Sequence, residues 1–109
     1  MRRLLVCGLA AGLLACATFQ ESMQRGLAHF QADRFEDAMA VWIEIEPNVV
    51  EQSRRERGEY YAYVGLTHAR LGHRRDAIHY LALARQYWGA LPVDVQALVT
   101  AANRDLGAP

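Results

Sequence analysis

The residues best able to do chemistry in this sequence are its four histidines and two cysteines, because imidazole and thiolate groups bind metals and act in catalysis. His73 and His79 have no nearby cysteine and do not form an H-E-x-x-H pattern. His29 and His68 occupy corresponding positions of two similar segments, which suits a repeated helix-packing position better than a pair of ligands. The spacing therefore predicts neither a metal site nor a catalytic histidine.

Other catalytic patterns are also missing from the sequence. Glu44 and Glu46 are separated by one residue in the sequence. On a helix, carboxylates with this spacing point to different faces and form a poor acid–base pair. The chain has no glycine-rich loop of the kind that binds phosphate. We therefore expect that the protein is not an enzyme and that it needs no cofactor.

The composition describes one small, neutral domain. The 109 residues carry 12 arginine and 12 acidic side chains and no lysine. Domains usually have about 100–150 residues, and a hydrophobic fraction of 52% is more than a disordered chain carries. A nucleic-acid-binding module would show a basic excess, which this chain lacks. We expect one packed domain and no nucleic-acid partner.

The N-terminal segment has the pattern of an export signal. Arg2 and Arg3 precede an uncharged stretch from Leu4 to Ala17. At a rise of about 1.5 Å per residue this stretch covers about 21 Å as a helix, less than the roughly 30 Å of a bilayer core. Gly8 and Gly12 weaken a spanning helix further. The segment therefore favours a cleaved signal over a membrane anchor.

The end of this segment, Leu13-Leu14-Ala15-Cys16, resembles the lipobox of bacterial lipoproteins. The resemblance implies a signal peptide at 1–15, a diacylglycerol on Cys16 and a short tether at 16–18. Ala17 after the cysteine implies, by the sorting rules of that family, the periplasmic face of the outer membrane. The alternative is ordinary signal cleavage after Ala17, with Ala15 and Ala17 as the small residues of the cleavage site.

The rest of the chain contains an internal repeat. Gly26-Leu27-Ala28-His29 aligns with Gly65-Leu66-Thr67-His68, and Asp37-Ala38 aligns with Asp76-Ala77. In both alignments the second segment follows the first by the same number of residues, the number from position 26 to position 65. We call this number the repeat offset. The spacing within each copy is therefore also the same. Matched spacing within two copies indicates a repeat protein.

The repeat resembles the tetratricopeptide (TPR) motif, a helix hairpin with small and aromatic residues at fixed positions. The matching positions of the second copy are Tyr61, Val64, Gly65, His68, Ala77, Leu81 and Ala84, with Gly72 in the turn. Those of the first copy are Gly26, His29, Ala38, Trp42 and Ile45, with Asp33 in place of the turn glycine. The resemblance implies an all-α fold, with two TPR-like hairpins and a C-terminal capping helix in a short right-handed α-solenoid.

Capping boxes and hydrophobic spacing set the expected helix boundaries. Thr18 with Glu21 and Ser53 with Glu56 each form a capping box at a helix start. The predicted helices are 19–32, 35–46, 54–71 and 74–88, with an extra loop at 47–52. A fifth helix after Pro92 is predicted from Val95, Leu98, Val99, Ala102 and Leu106, which recur with helical spacing. Repeat 1 and its loop would occupy 19–52, repeat 2 would occupy 53–91, and the capping helix and tail would occupy 92–109.

The resemblance also implies a binding groove, because the first helix of each TPR hairpin lines the concave surface of that family. The corresponding residues are Met23, Leu27, Phe30 and Gln31 in repeat 1, and Ala62, Leu66, Ala69 and Arg70 in repeat 2, with Glu59 near the edge. Most are apolar, so the groove would suit a hydrophobic or amphipathic helix. The alternative for each is burial against a neighbouring helix.

These expectations combine into a functional hypothesis. The chain would be a membrane-anchored TPR lipoprotein that acts as an adaptor or assembly factor in the bacterial cell envelope. Its partner would be an envelope protein or peptide, or a second copy that pairs the acidic second helix with the basic turn around Arg70 and Arg74. The alternative is a periplasmic ligand- or metal-binding protein that uses the histidines.

Overall fold

The chain folds into α-helices. The computed structural model describes residues 18–108, in which there are five α-helices, two short 3-10 helices and no strand. The α-helices are α1 (Phe19–Gln31), α2 (Phe35–Ile45), α3 (Arg54–Arg70), α4 (Arg74–Arg85) and α5 (Val93–Leu106). The all-α prediction is confirmed. The first four helices begin at the predicted residues and end slightly earlier than predicted.

The N-terminal expectations concern a part of the chain that lies outside this range. The signal segment, Cys16 and Ala17 are not among the described residues. Within residues 18–108, no helix combines the length and the apolar character needed to cross a membrane.

Both predicted capping residues bind a helix N-terminus. The Thr18 hydroxyl accepts a hydrogen bond of 3.0 Å from the backbone N–H of Glu21, and α1 begins directly after it. At α3 the Ser53 hydroxyl accepts from the backbone N–H of Glu56 at 3.2 Å. The Ser53 hydroxyl also lies 2.9 Å from the Glu56 carboxylate, to which it donates. These contacts fix the starts of α1 and α3, the first helix of each hairpin.

The two hairpin turns have the same backbone hydrogen bonds, separated by the repeat offset. Arg34 N–H donates to the carbonyl of His29, and His73 N–H donates to the carbonyl of His68, both at 2.9 Å. The turns also place Asp33 and Gly72 in the left-handed region, with φ of 60° and 80°. The repeat seen in the sequence is therefore a repeat of local structure.

Close helix approach within each hairpin depends on a glycine. A Cβ at Gly26 would lie 2.5 Å from the indole of Trp42, and a Cβ at Gly65 would lie 2.8 Å from Leu81. Both contacts are far inside van der Waals distance. The large residue of α2 or α4 thus packs directly on the backbone of α1 or α3.

The segment predicted as the loop 47–52 is largely a 3-10 helix, Glu46–Glu51. Pro47 stands at its start, and Val49 is buried at 2% exposure. Arg57 of α3 donates to the carbonyls of Gln52 at 2.9 Å and of Val50. The loop prediction is corrected because a buried valine and an arginine from the next helix order the segment.

The fifth helix continues the spacing of the helices before it. Helices α2 and α4 begin at Phe35 and Arg74, and helices α3 and α5 begin at Arg54 and Val93, so each pair is separated by the repeat offset. Helix α5 packs against α3 and α4, as α3 packs against α1 and α2. Its inner side carries two buried valines, and a left-handed glycine ends it: Val95, Val99 and Gly107. Helix α5 thus covers the open side of the second hairpin.

Candidate functional site

A groove runs between the helices α1, α3 and α5. We call this the α1–α3–α5 groove; its volume is about 350 Å³. Its lining residues are Phe30 of α1, Leu66, Ala69 and Arg70 of α3, and Leu98, Ala101, Ala102, Asp105 and Leu106 of α5. The lining is apolar except for Arg70 and Asp105, one cation and one anion. This composition suits an apolar or amphipathic ligand.

The structure brings together four of the residues predicted for the groove. Phe30, Leu66, Ala69 and Arg70 all line the α1–α3–α5 groove. Leu66 is mostly covered, at 5% exposure, whereas Phe30 is half-buried and Arg70 is exposed. Phe30, Leu66 and Arg70 contribute an aromatic wall, an apolar floor and a charge.

The other predicted residues lie elsewhere. Met23 is buried in the core at 6% exposure, and Leu27 is half-buried against the same core. Gln31 is exposed at the end of α1. Glu59 is partly exposed, and its carboxylate lies 2.8 Å from Arg55 in an ion pair along α3. Ala62 is fully buried in the core. None of these five residues lines the α1–α3–α5 groove.

Aromatic contacts hold the α1 side of this groove. The Phe30 ring packs edge-on against Phe35 at 5.4 Å and against Tyr63 at 5.5 Å between ring centroids. The Arg70 guanidinium lies 5.7 Å from the centroid of the Phe35 ring, within the range of a cation–π contact. Phe30 and Arg70 are therefore positioned by a common neighbour, the first residue of α2.

Leu98 and Asp105 are groove residues that the sequence does not predict, because its pattern identifies α5 only as a cap. Leu98 belongs to the apolar stripe that identifies α5, yet 40% of its surface is exposed. The sequence pattern carries no signal that separates Leu98 from the buried positions of this stripe; its place in the groove is visible only in the folded chain.

Some of the charged side chains that were expected to pair between two copies make contacts within the chain itself. Arg25 of α1 forms a 2.9 Å ion pair with Glu44 of the acidic helix α2. In the basic turn, the Arg74 guanidinium donates to the carbonyl of Leu106 at 2.9 and 3.2 Å. These contacts join α1 to α2 and α4 to α5.

A second candidate site lies at the turn between α3 and α4. One ligand atom each from His68, His73 and Asp76 lies within 4.8 Å of the other two. The Nδ1 atoms of His68 and His73 are 3.1 Å apart, and the His68 ring stacks on Tyr80 at 5.5 Å. Burial lowers the pKa of His68, with Asp76 acting in the opposite direction. The group has the residue types of a metal site.

The sequence pattern assigns His68 to helix packing and shows no familiar ligand spacing around His73. The turn reverses the chain between these histidines, so His68, His73 and Asp76 converge at one point. The pattern H-x4-H-x2-D across a helix–turn–helix junction is the sequence signal that corresponds to this cluster.

Comparison with known proteins gives no relative for this chain. No protein-family model, no curated protein and no solved structure matches it. Its function is therefore inferred from its own residues and their geometry.

Proposed function

We propose that this chain is a membrane-anchored TPR-like lipoprotein that acts as an adaptor or assembly factor in the bacterial cell envelope. In this role, the α1–α3–α5 groove binds an apolar or amphipathic helix of an envelope protein. The observation that carries the proposal is this apolar groove between the first helices of successive repeats, with Arg70 and Asp105 as its charges. TPR proteins bind their partners on the corresponding surface.

The repeat geometry supports the TPR-like part of the proposal. Both hairpins share a glycine contact, a left-handed turn residue and a turn hydrogen-bond pattern, each separated by the repeat offset. Helix α5 begins one repeat offset after α3. The groove lies along α1, α3 and α5, and solenoids build extended binding surfaces from successive helices in this way.

The tether supports a role close to the membrane. Helix α1 begins at Phe19 and is capped by Thr18, so only Ala17 and Thr18 separate it from Cys16. At full extension these residues span about 7–10 Å. A lipid on Cys16 would hold the groove near the bilayer surface, where segments of envelope proteins are within its reach.

Site-specific photocrosslinking in cells tests the groove. A photoreactive amino acid at Ala101, in the groove, should crosslink to one defined envelope protein, whereas the same residue at Val93 should not. Val93 is the matched position because it is on the same helix, is 80% exposed and lies outside the groove lining. Adding Leu98→Glu should remove the crosslink from Ala101, because it places a charge on the apolar lining.

The controls separate loss of binding from loss of folding. Leu98 is 40% exposed, so Leu98→Glu should leave the melting temperature close to that of the wild type. Val93→Glu, the same substitution on the same helix, should retain the crosslink. Equal crosslinking from Ala101 and Val93, or a crosslink that survives Leu98→Glu, would contradict binding in this groove.

Metabolic labelling with palmitate tests the lipid anchor. The wild-type chain should be labelled and should fractionate with the outer membrane, and Cys16→Ser should abolish the labelling. Persistent labelling in Cys16→Ser, or no labelling of the wild type, would refute the lipoprotein assignment. Cys7→Ser is the matched control, because Cys7 belongs to the predicted signal segment and its loss should leave the labelling unchanged.

A further inference from the structure

The residues His68, His73 and Asp76 form a cluster whose distances fit a metal ion. Two nitrogen ligands at about 2.0–2.1 Å from a tetrahedral Zn²⁺ lie about 3.3 Å apart. The Nδ1 atoms of His68 and His73 are 3.1 Å apart, and one ligand atom from each of the three residues lies within 4.8 Å of the others. His73 and Asp76 are exposed, so their side chains have room to turn towards an ion bound between them.

The first repeat provides an independent argument for a cation at this position. The residues one repeat offset earlier are His29, Arg34 and Asp37. There the Arg34 Nε donates to His29 Nδ1 at 3.1 Å and lies 4.0 Å from an oxygen of Asp37. A guanidinium of the chain thus occupies the space between the histidine and the carboxylate.

In the second repeat this arginine is replaced by His73. The histidine and the carboxylate are kept as His68 and Asp76, but the residue between them is now a third metal-binding group. An imidazole has a lone pair to offer to a metal, whereas a guanidinium has none. The second repeat therefore keeps the histidine and the carboxylate that contact a guanidinium in the first repeat, and it has an imidazole ligand, His73, in place of that guanidinium.

We infer that His68, His73 and Asp76 bind one Zn²⁺ ion at the turn between α3 and α4. Two imidazoles favour zinc and its neighbours over calcium or magnesium, which take oxygen ligands. Three protein ligands leave one tetrahedral position for water or for a ligand from a partner. His68 comes from the last turn of α3 and Asp76 from the first turn of α4, so the ion would tie the two helices together.

The stacking of His68 on Tyr80 supports this assignment. The two rings lie 5.5 Å apart between centroids at an angle of 18°, so Tyr80 of α4 holds the imidazole of α3 in place. A ligand that is already oriented loses less conformational freedom when it binds the metal. The ring of His79 packs edge-on against the same tyrosine but is not part of the cluster, which makes it a control residue.

Zinc binding to the full chain tests the inference. The chain is purified in detergent without a histidine tag, with Cys7→Ser and Cys16→Ser so that no thiol binds the metal. Calorimetric titration with ZnCl₂, together with elemental analysis after equilibrium dialysis, should give one zinc per chain. Saturating zinc should also raise the melting temperature, because binding to the folded state stabilises it.

Exchanging residues between the repeats gives the decisive variants. His73→Arg recreates the arrangement of the first repeat and should reduce zinc affinity at least about 100-fold, because it removes a ligand and adds a positive charge. Arg34→His places a second His-His-Asp cluster in the first repeat, with His29 and Asp37 as its other ligands. It should raise the stoichiometry from one zinc ion per chain to two. His79→Ala changes a residue outside the cluster, so this variant should still bind one zinc ion.

Each of these measurements can overturn the inference. The absence of stoichiometric zinc in the parent chain would refute the site, and unchanged binding in His73→Arg would place the zinc elsewhere. A stoichiometry of one in Arg34→His would refute the equivalence of the two repeats on which the site rests. Circular dichroism of each variant shows whether it is folded, which is expected because positions 34 and 73 are exposed.

Discussion

Trp42 and Thr67 join the two hairpins through a buried hydrogen bond, in which the indole Nε1 donates to the threonine hydroxyl at 2.9 Å. Both side chains have no exposed surface, and the Thr67 hydroxyl in turn donates to the carbonyl of Tyr63 at 2.6 Å. The first repeat has Ala28 at the position equivalent to Thr67, and Ala28 is exposed. Of the two equivalent positions, the one that the tryptophan of the preceding hairpin reaches carries a hydroxyl acceptor, and the exposed one carries alanine.

This hydrogen bond predicts an energetic coupling between the hairpins. Thr67→Val should lower the free energy of unfolding by about 1–3 kcal/mol, because it leaves a buried indole N–H without an acceptor. Trp42→Phe should also destabilise the protein, but adding Thr67→Val to it should then cost much less. Urea unfolding of both single variants and the double variant measures this coupling. Additive losses would contradict a contribution from the hydrogen bond.

The contact between Gly26 and Trp42 predicts a cost for the smallest side chain. In Gly26→Ala the new Cβ would lie 2.5 Å from the indole, so the helices must separate or the ring must turn. We expect a net loss of about 1–2 kcal/mol, since overpacking of about 1–3 kcal/mol exceeds the gain in helix propensity of up to about 1 kcal/mol. Thermal unfolding measures the difference.

Gly89→Ala is the matched control for this prediction. No atom lies within 4 Å of a Cβ at Gly89, and its φ is not positive. Its stability should stay within about 0.5 kcal/mol of the wild type. Equal stability of Gly26→Ala and Gly89→Ala would show that the hairpin does not depend on the glycine contact.

Much of the fold is predictable from local signals in the sequence. Thr18 and Ser53 give the helix starts because a hydroxyl before an apolar run binds N–H groups of its own first turn. The loop prediction at 47–52 is wrong because the segment is largely a 3-10 helix, in which Val49 is buried in the core and Arg57 of the next helix donates to backbone carbonyls. Signals within one turn are readable, whereas contacts between elements are not.

The same limit applies to the candidate sites. Helical spacing identifies Leu98 as part of an apolar stripe but cannot show that the stripe faces a groove as well as a core. The cluster of His68, His73 and Asp76 is not predicted, because ligand spacings known from single helices do not describe a turn between two helices. The repeat offset becomes informative at this position only when both turns are compared in three dimensions.

The left-handed turn positions predict a residue preference at Gly72. Gly72→Val should cost about 1–2 kcal/mol, because a branched side chain is strained at a φ of 80°. Gly72→Asp should cost less than Gly72→Val, because Asp33 adopts a φ of 60° at the equivalent turn. The urea midpoints of the two variants measure the order. A less stable Gly72→Asp would contradict the equivalence of the turns.

The buried Tyr60 predicts a loss of stability at alkaline pH. Its side chain is in the core at 2% exposure, and its hydroxyl donates to the carbonyl of Trp42 at 2.9 Å. Burial, and then the charge of Glu46, raise the pKa of Tyr60 above its ordinary value of 10.0. Above about pH 10 the unfolded chain releases this proton while the folded chain keeps it, so stability falls by about 1.4 kcal/mol per pH unit.

Tyr60→Phe should be less stable than the wild type by about 1 kcal/mol at pH 8, because it lacks the hydrogen bond. The difference should vanish between pH 10 and pH 11 and change sign by pH 11, because the wild type has by then lost more than about 1 kcal/mol. Urea unfolding from pH 8 to pH 11 measures it, and a constant difference would contradict the prediction.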